Sequence, residues 1–248
     1  MLAKRLIARL DVKSPHLVKG VRMEGLRRLG DPCEFACRYA DEGADELLYM
    51  DIVASLYGRN QITELLRRTT DHVFIPVTVG GGVRSVGEAQ RLLDAGADKI
   101  ALNTGALRSP GLISDLARRY GSQAIVISIE ARRTAEGWQC YTECGREPSG
   151  IEARAWAREA ADRGAGEILA TSIDREGTRS GCDLDLLRAL CGTAAVPVVA
   201  SGGVGTIADF TDAALIADGV ALADGLHYAR LDITTLKEAG RSAGLEMR

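Results

Sequence analysis

The chain has 248 residues and a formal charge of −3, with 46% hydrophobic and 26% charged side chains, 28 glycines and 6 prolines. These totals exclude a disordered or collagen-like chain, and the absence of a basic excess argues against bulk binding of nucleic acid. Six cysteines (33, 37, 140, 144, 182 and 191) form no C-x-x-C pair, and just three histidines, His16, His72 and His227, are present to complete a metal site. The expectation is free thiols in a reducing, cytoplasmic setting, with no metal and no cofactor.

The N-terminal segment MLAKRLIARLDVK carries a short apolar run broken by Arg9 and Asp11, so it lacks a signal-peptide core, and no stretch approaches the ~18 apolar residues of a membrane span. Further apolar runs follow at ELLYMDIV, IPVTVG, DKIALN, AIVISIE, EILATSI, VPVVASG and GVALADG, making eight in all. Amphipathic segments separate most of them; GEAQRLLDAGAD and IADFTDAALIADG show apolar residues at i, i+3 and i+4 before a helix-ending glycine. Near-continuous apolar strands alternating with helices predict a parallel sheet covered by helices. Eight such units in a chain close to the typical ~250 residues predict one (β/α)8 TIM barrel domain spanning 1–248.

The two halves repeat each other. GADELL from Gly43 aligns with GAGEIL from Gly164, PVTVGGGV from Pro76 with PVVASGGV from Pro197, and ADKIALNTG from Ala97 with ADGVALADG from Ala217. The expected barrel is therefore built from two similar half-barrels. Asp11 and Glu130 become near-equivalents at the ends of strands one and five, facing each other across the mouth where such barrels carry their chemistry. A pair of acids can give a proton at one place and take it at another. The glycine runs at 80–82 and 201–203 and the Asn103-Thr104 pair let backbone N–H groups approach an anion, and their repetition suggests an elongated substrate with a phosphate at each end.

The segments LVKG, GDP, VGGGV, GADK, YGSQAIV, RGAGEIL, TSIDREGT and ASGG stand in an order that resembles, over almost the whole chain, the cyclase subunit of imidazole glycerol phosphate synthase. The resemblance implies a barrel that takes ammonia from a glutaminase partner through its axis. A bisphosphorylated ribulosyl intermediate is then converted to imidazole glycerol phosphate and an aminoimidazole carboxamide ribotide. Carried over position by position, it implies Asp11 and Glu130 as catalytic acids and Lys19 as a substrate-reaching loop residue. It implies one phosphate site at Gly82, Asn103 and Thr104 and another at Gly177, Gly203 and Ala223. It further implies an ammonia gate of Arg5, Glu46, Lys99 and Glu167, and Asp98 facing the glutaminase.

Four positions depart from the family pattern. Glu130 stands for an aspartate, Arg9 for a small cysteine, Glu176 for an aspartate and Asp224 for a serine. Arg9 is two residues from Asp11 and so on the same strand face; it is expected either to pair with Glu130, holding it ionised, or to bind a substrate anion. The departures keep two other readings open: an ammonia-using relative acting on another molecule such as a sugar nucleotide, and a non-catalytic barrel that activates a glutaminase.

Overall fold

Residues 3–54 and 62–248 are described by the computed structural model, so the first two residues of the N-terminal motif lie outside it. Each of the eight apolar runs forms a strand: β1 (Arg5–Lys13), β4 (Glu46–Asp51), β5 (Val77–Gly80), β6 (Lys99–Leu102), β7 (Ile125–Thr134), β10 (Glu167–Ser172), β11 (Val198–Ser201) and β12 (Gly219–Leu222). They pair in parallel in that order and β12 returns to β1, which closes the barrel. Helices follow because their starts are specified locally. Asp31 caps the helix Pro32–Asp41 with proline in its first turn, and Thr206 and Asp209 form a reciprocal capping box on Ile207–Ile216.

Segment 13–28, which reads in the sequence as a long loop, is largely strand. β2 (His16–Val21) and β3 (Glu24–Gly30) form an antiparallel hairpin on β1, turning through Arg22 and Met23 with φ of 50° and 64°. Positive φ at both central positions matches the twist of the flanking strands, although neither residue is a glycine. After β7 the chain makes a second hairpin from β8 (Gly137–Thr142) and β9 (Glu147–Glu152). The duplication thus extends beyond the barrel to a hairpin at the same place in each half.

Strand register sets the level of each inward side chain. Asp11 lies opposite Met50 and Glu130 opposite Thr171, while Ile7 lies opposite Glu46 and Val126 opposite Glu167. Positions 46 and 167, like 50 and 171, are related by one repeat, so Asp11 and Glu130 occupy equivalent levels. Two cores result. Ile7, Leu48, Met50, Ala101, Val126, Leu169, Val199 and Ala221 form an inner apolar cluster, separate from the larger layer between strands and helices.

At the N-terminal face one device recurs. The Asp45 carboxylate accepts from the Leu6 N–H at 2.7 Å, Asp98 from Val77 at 2.8 Å and Asp218 from Val198 at 2.9 Å, each residue returning its own N–H to the same neighbour's carbonyl. The repeated Ala-Asp segment is therefore a staple between adjacent strands, and Asp98 has this role whatever else it does. Hydrogen bonds to a charged acceptor contribute about 1.5–3 kcal/mol. Asp218→Ala should accordingly lower unfolding stability by about 1–3 kcal/mol in urea titrations, and Asp218→Asn, which keeps an acceptor oxygen, by less.

Candidate active site

At the C-terminal ends of the strands two cavities lie side by side. The larger, about 870 Å³ and open to solvent, is lined by Asp11, Glu130, Gly82, Asn103 and Thr104; the smaller, about 320 Å³, by Gly177, Gly203, Ala223 and Asp224. Arg9, Lys19 and Glu176 line both and form the wall between them. Each group of residues expected to hold a phosphate thus has a cavity of its own, and both acids open into the larger one. Asn103 and Ala223 are also conformational twins at the start of short helices, with φ, ψ of −130°, −90° and −129°, −76°.

Glycine is required where these loops turn. Gly82, Gly177 and Gly203 have φ of 70°, 71° and 101°. A Cβ on Gly177 would fall 2.5 Å from the Gly20 carbonyl oxygen, and one on Gly203 2.2 Å from that of Gly181. The first of these contacts packs the β2–β3 hairpin onto the loop after β10, and the Arg22 N–H donates to the Glu176 carbonyl at 2.7 Å. The second hairpin comes to meet the first: a Cβ on Gly145 would approach the Met23 Sδ to 2.9 Å. The duplicated hairpins therefore cover the mouth together.

Both acids are buried, Asp11 at 6% exposure and Glu130 at 5%, yet their surroundings differ. Arg9 does not pair with Glu130. Its Nε donates to Asp11 Oδ1 at 2.9 Å, and its Nη1 reaches Ser201 Oγ at 2.9 Å and Thr171 Oγ1 at 3.2 Å. The reason is geometric, since Arg9 and Asp11 project from one face of one strand and the long side chain reaches past β12 to β11 and β10. Lys19 adds a contact to Asp11 at 3.4 Å and pairs tightly with Glu176. Burial opposes ionisation of Asp11, but Arg9 and then Lys19 overcome it and hold the carboxyl below the usual range. Neighbouring cations, and not solvation, keep Asp11 charged.

Glu130 is governed by burial, which pushes it up to about 7 against the pull of Arg9 and a hydrogen bond from the Gly145 N–H. Its Oε2 is buried with no hydrogen-bond partner among the described residues. The mouth consequently presents one carboxylate, Asp11, and one carboxyl group, Glu130, that gains and loses its proton near neutral pH.

Two of the remaining departures also find partners. Glu176 is the counter-ion of Lys19, and Asp224 Oδ1 accepts from Arg179 Nε at 2.8 Å and Arg230 Nη1 at 3.0 Å. The unfavourable case of a bare carboxylate beside an anion does not arise, because two guanidinium groups flank it.

At the opposite end of the barrel Arg5, Glu46, Lys99 and Glu167 form a closed ring. Arg5 meets Glu46 at 2.8 Å and pairs with Glu167, while Lys99 reaches Glu46 at 3.0 Å and Glu167 at 3.1 Å. Burial resists the charge on Glu46, yet Arg5 and Lys99 hold it ionised. Each residue is the first of its strand, so the ring spans the N-terminal opening beneath the apolar cluster.

Residues 5–232 match the family model described as histidine biosynthesis protein. The chain belongs to the histidine biosynthesis protein family. It is 48% identical over 250 residues to the imidazole glycerol phosphate synthase subunit HisF of Myxococcus xanthus, an alignment covering 100% of this chain and 99% of that protein. Identity to the HisF subunit of Legionella pneumophila is 56% over 207 residues, 83% of this chain and 98% of that one. The HisF subunit of Gluconacetobacter diazotrophicus is 48% identical over 250 residues, with coverage of 100% and 97%. Within this family of HisF cyclase subunits, the paired cavities and the closed ring are features of the present chain's own geometry.

Sequence reading missed the hairpins, the Gly145 contact and the anchors of Arg9. The alternating pattern of WQCYT around a Gly-containing turn was an available signal for the second hairpin; nothing local indicated Thr171 or Ser201 as partners of Arg9.

The raised Glu130 has a consequence for stability. A carboxyl at about 7 when folded and near 4.5 when unfolded stabilises the fold fully below 4.5, and that contribution declines with rising pH and is gone above about 7. Glu130→Gln escapes the loss. Between pH 4 and pH 8 its stability relative to the parent should improve by about 3 kcal/mol, measured by urea unfolding at each pH.

Proposed function

We propose that the chain, acting as one barrel domain over residues 1–248, performs the cyclase reaction of histidine biosynthesis with Asp11 and Glu130 as its proton-transfer pair. The observation that carries this reading is the mouth: two buried carboxyl groups in one cavity, Asp11 paired with Arg9 and Lys19 and Glu130 without an ion pair among the described residues, with a second cavity alongside. A bisphosphorylated substrate would lie across both, one phosphate at Gly82, Asn103 and Thr104 and the other at Gly177, Gly203 and Ala223. Lys19 and Arg9 at the dividing wall supply positive charge between the two ends.

Ammonia would reach the reacting centre along the barrel axis. The inner cluster of Ile7, Leu48, Ala101, Val126, Leu169, Val199 and Ala221 is apolar, which suits neutral ammonia and makes the passage of ammonium costly. The ring of Arg5, Glu46, Lys99 and Glu167 stands at its entrance as a gate. A glutaminase subunit docked on that face, in contact with Asp98, would form a heterodimer with this chain and deliver ammonia directly to the ring. In the reaction Asp11 accepts a proton and Glu130 donates one, which accords with their unequal environments. No cofactor or metal is assigned a step. Among the described residues no helix is long and apolar enough to cross a membrane, and we place the chain in the cytoplasm.

Two measurements test this reading. Purified chain supplied with the bisphosphorylated ribulosyl intermediate and ammonium salts should consume it, with a rate that rises with pH as free ammonia increases and falls once Glu130 loses its proton above about 7, and Glu130→Gln should lower turnover by about 10²-fold or more. Full activity of folded Glu130→Gln would remove it from the reaction, and no turnover by the folded parent would favour a relative acting on a different molecule. Asp98→Lys in the presence of the glutaminase should depress glutamine-dependent turnover far more than ammonia-dependent turnover; equal loss would mean that its staple to Val77 is its whole contribution.

A further inference from the structure

We propose that Arg9 is a positioning residue for the reaction: anchored on Thr171 and Ser201, its guanidinium fixes the Asp11 carboxylate in one orientation and assigns the two proton roles between Asp11 and Glu130. The inference rests on the reading of those acids given above.

Arg9 is 3% exposed, and a buried guanidinium is retained only where its donors are met. Three of its contacts are accounted for, one to Asp11 and two to hydroxyls on β10 and β11, beyond β12. The two hydroxyls carry no charge. They fix the direction of the guanidinium without neutralising it, and its field is spent on the acids. Asp11 receives a hydrogen bond together with that field, whereas Glu130 receives the field alone, so a single cation treats the two equivalent positions unequally. Internal symmetry makes the asymmetry explicit: by register the counterpart of Arg9 in the second half is Ser128. The half-barrel repeat would give two like acids, and Arg9 is what distinguishes them.

Other charged or titratable groups face the pair from each neighbouring element. Lys19 reaches Asp11 from the β2–β3 hairpin and is itself engaged by Glu176 from the loop after β10. His227, after β12, is pushed down to about 3 chiefly by burial and is neutral beside Asp11. Asn103 and the Gly145 N–H face Glu130 and do not titrate. Lys19 is thus the other cation in contact with Asp11, at a longer distance of 3.4 Å and with its charge shared.

The test compares the parent, Arg9→Met and Arg9→Lys, labelled with ¹³C at the Asp and Glu carboxyls, with Asp11→Asn and Glu130→Gln used to assign the resonances. In Arg9→Met the titration midpoints of both Asp11 and Glu130 should move up by roughly one pH unit, Arg9→Lys should recover part of that movement, and both limbs of the kcat/KM pH profile should follow. A role confined to packing would lower turnover with midpoints and limbs unmoved, and that result overturns the proposal, as does an Arg9→Lys protein that titrates like Arg9→Met. Midpoints that move while the pH profile of turnover stays fixed would overturn it by a different route, showing that Arg9 sets these carboxyls but that they are not the reacting pair. Should Arg9→Met fail to fold, Thr171→Val with Ser201→Ala retains the cation and removes its anchors. The Asp11 resonance should then broaden or move and kcat should fall more than KM rises; an unchanged resonance and kcat would contradict the proposal.

Discussion

Inside a closed eight-stranded barrel a charge persists only where an opposite charge or a full set of hydrogen bonds meets it, and the distribution of charge along this axis follows from that constraint. At the N-terminal opening two cations and two anions satisfy one another as a ring. Above them the interior is apolar. At the mouth, Arg9, Lys19, Asp11 and Glu176 form a connected set from which Glu130 is left out. Glu130, without an ion pair among the described residues, is pushed upward by burial, and its position is therefore chemically distinct from that of Asp11.

Duplication explains both what is alike in the two halves and where they diverge. The Ala-Asp staples, the paired glycine loops, the conformations of Asn103 and Ala223 and the hairpins after β1 and β7 recur because each half solves the same packing problem. The departures lie where the halves must do different things. Arg9 faces Ser128 in the repeat, and Lys99 in the ring corresponds to Gly219 on β12. An elongated, two-ended ligand suits a scaffold that repeats its anion-binding loops while varying the centre between them.

Much of this was legible in the sequence because it depends on local pattern. The eight apolar runs, the repeat and the place of Asp11 and Glu130 at strand ends follow from position within a strand, whereas the four ring residues were indicated by the family resemblance alone. The partner of Arg9 was not legible in this way. Its spacing from Asp11 placed the two on one face, but whether the guanidinium turned to Asp11 or Glu130 depended on Thr171 and Ser201, 162 and 192 residues away. The arginines beside Asp224 were hidden for the same reason, since Arg179 and Arg230 meet it through folded loops. Asp98 has a second role that resemblance did not indicate: its carboxylate also staples the Val77 N–H, as its place before β6 dictates.

The central claim is that Glu130 exchanges its proton near neutral pH while Asp11 stays ionised there. Infrared difference spectroscopy between pH 5 and pH 9 reads this directly through the carbonyl stretch of a protonated carboxyl group. The account predicts one buried-acid band that is lost with a midpoint near 7, disappears in Glu130→Gln and persists in Asp11→Asn. A band that persists in Glu130→Gln and is lost in Asp11→Asn, or no such band above pH 5, would contradict it.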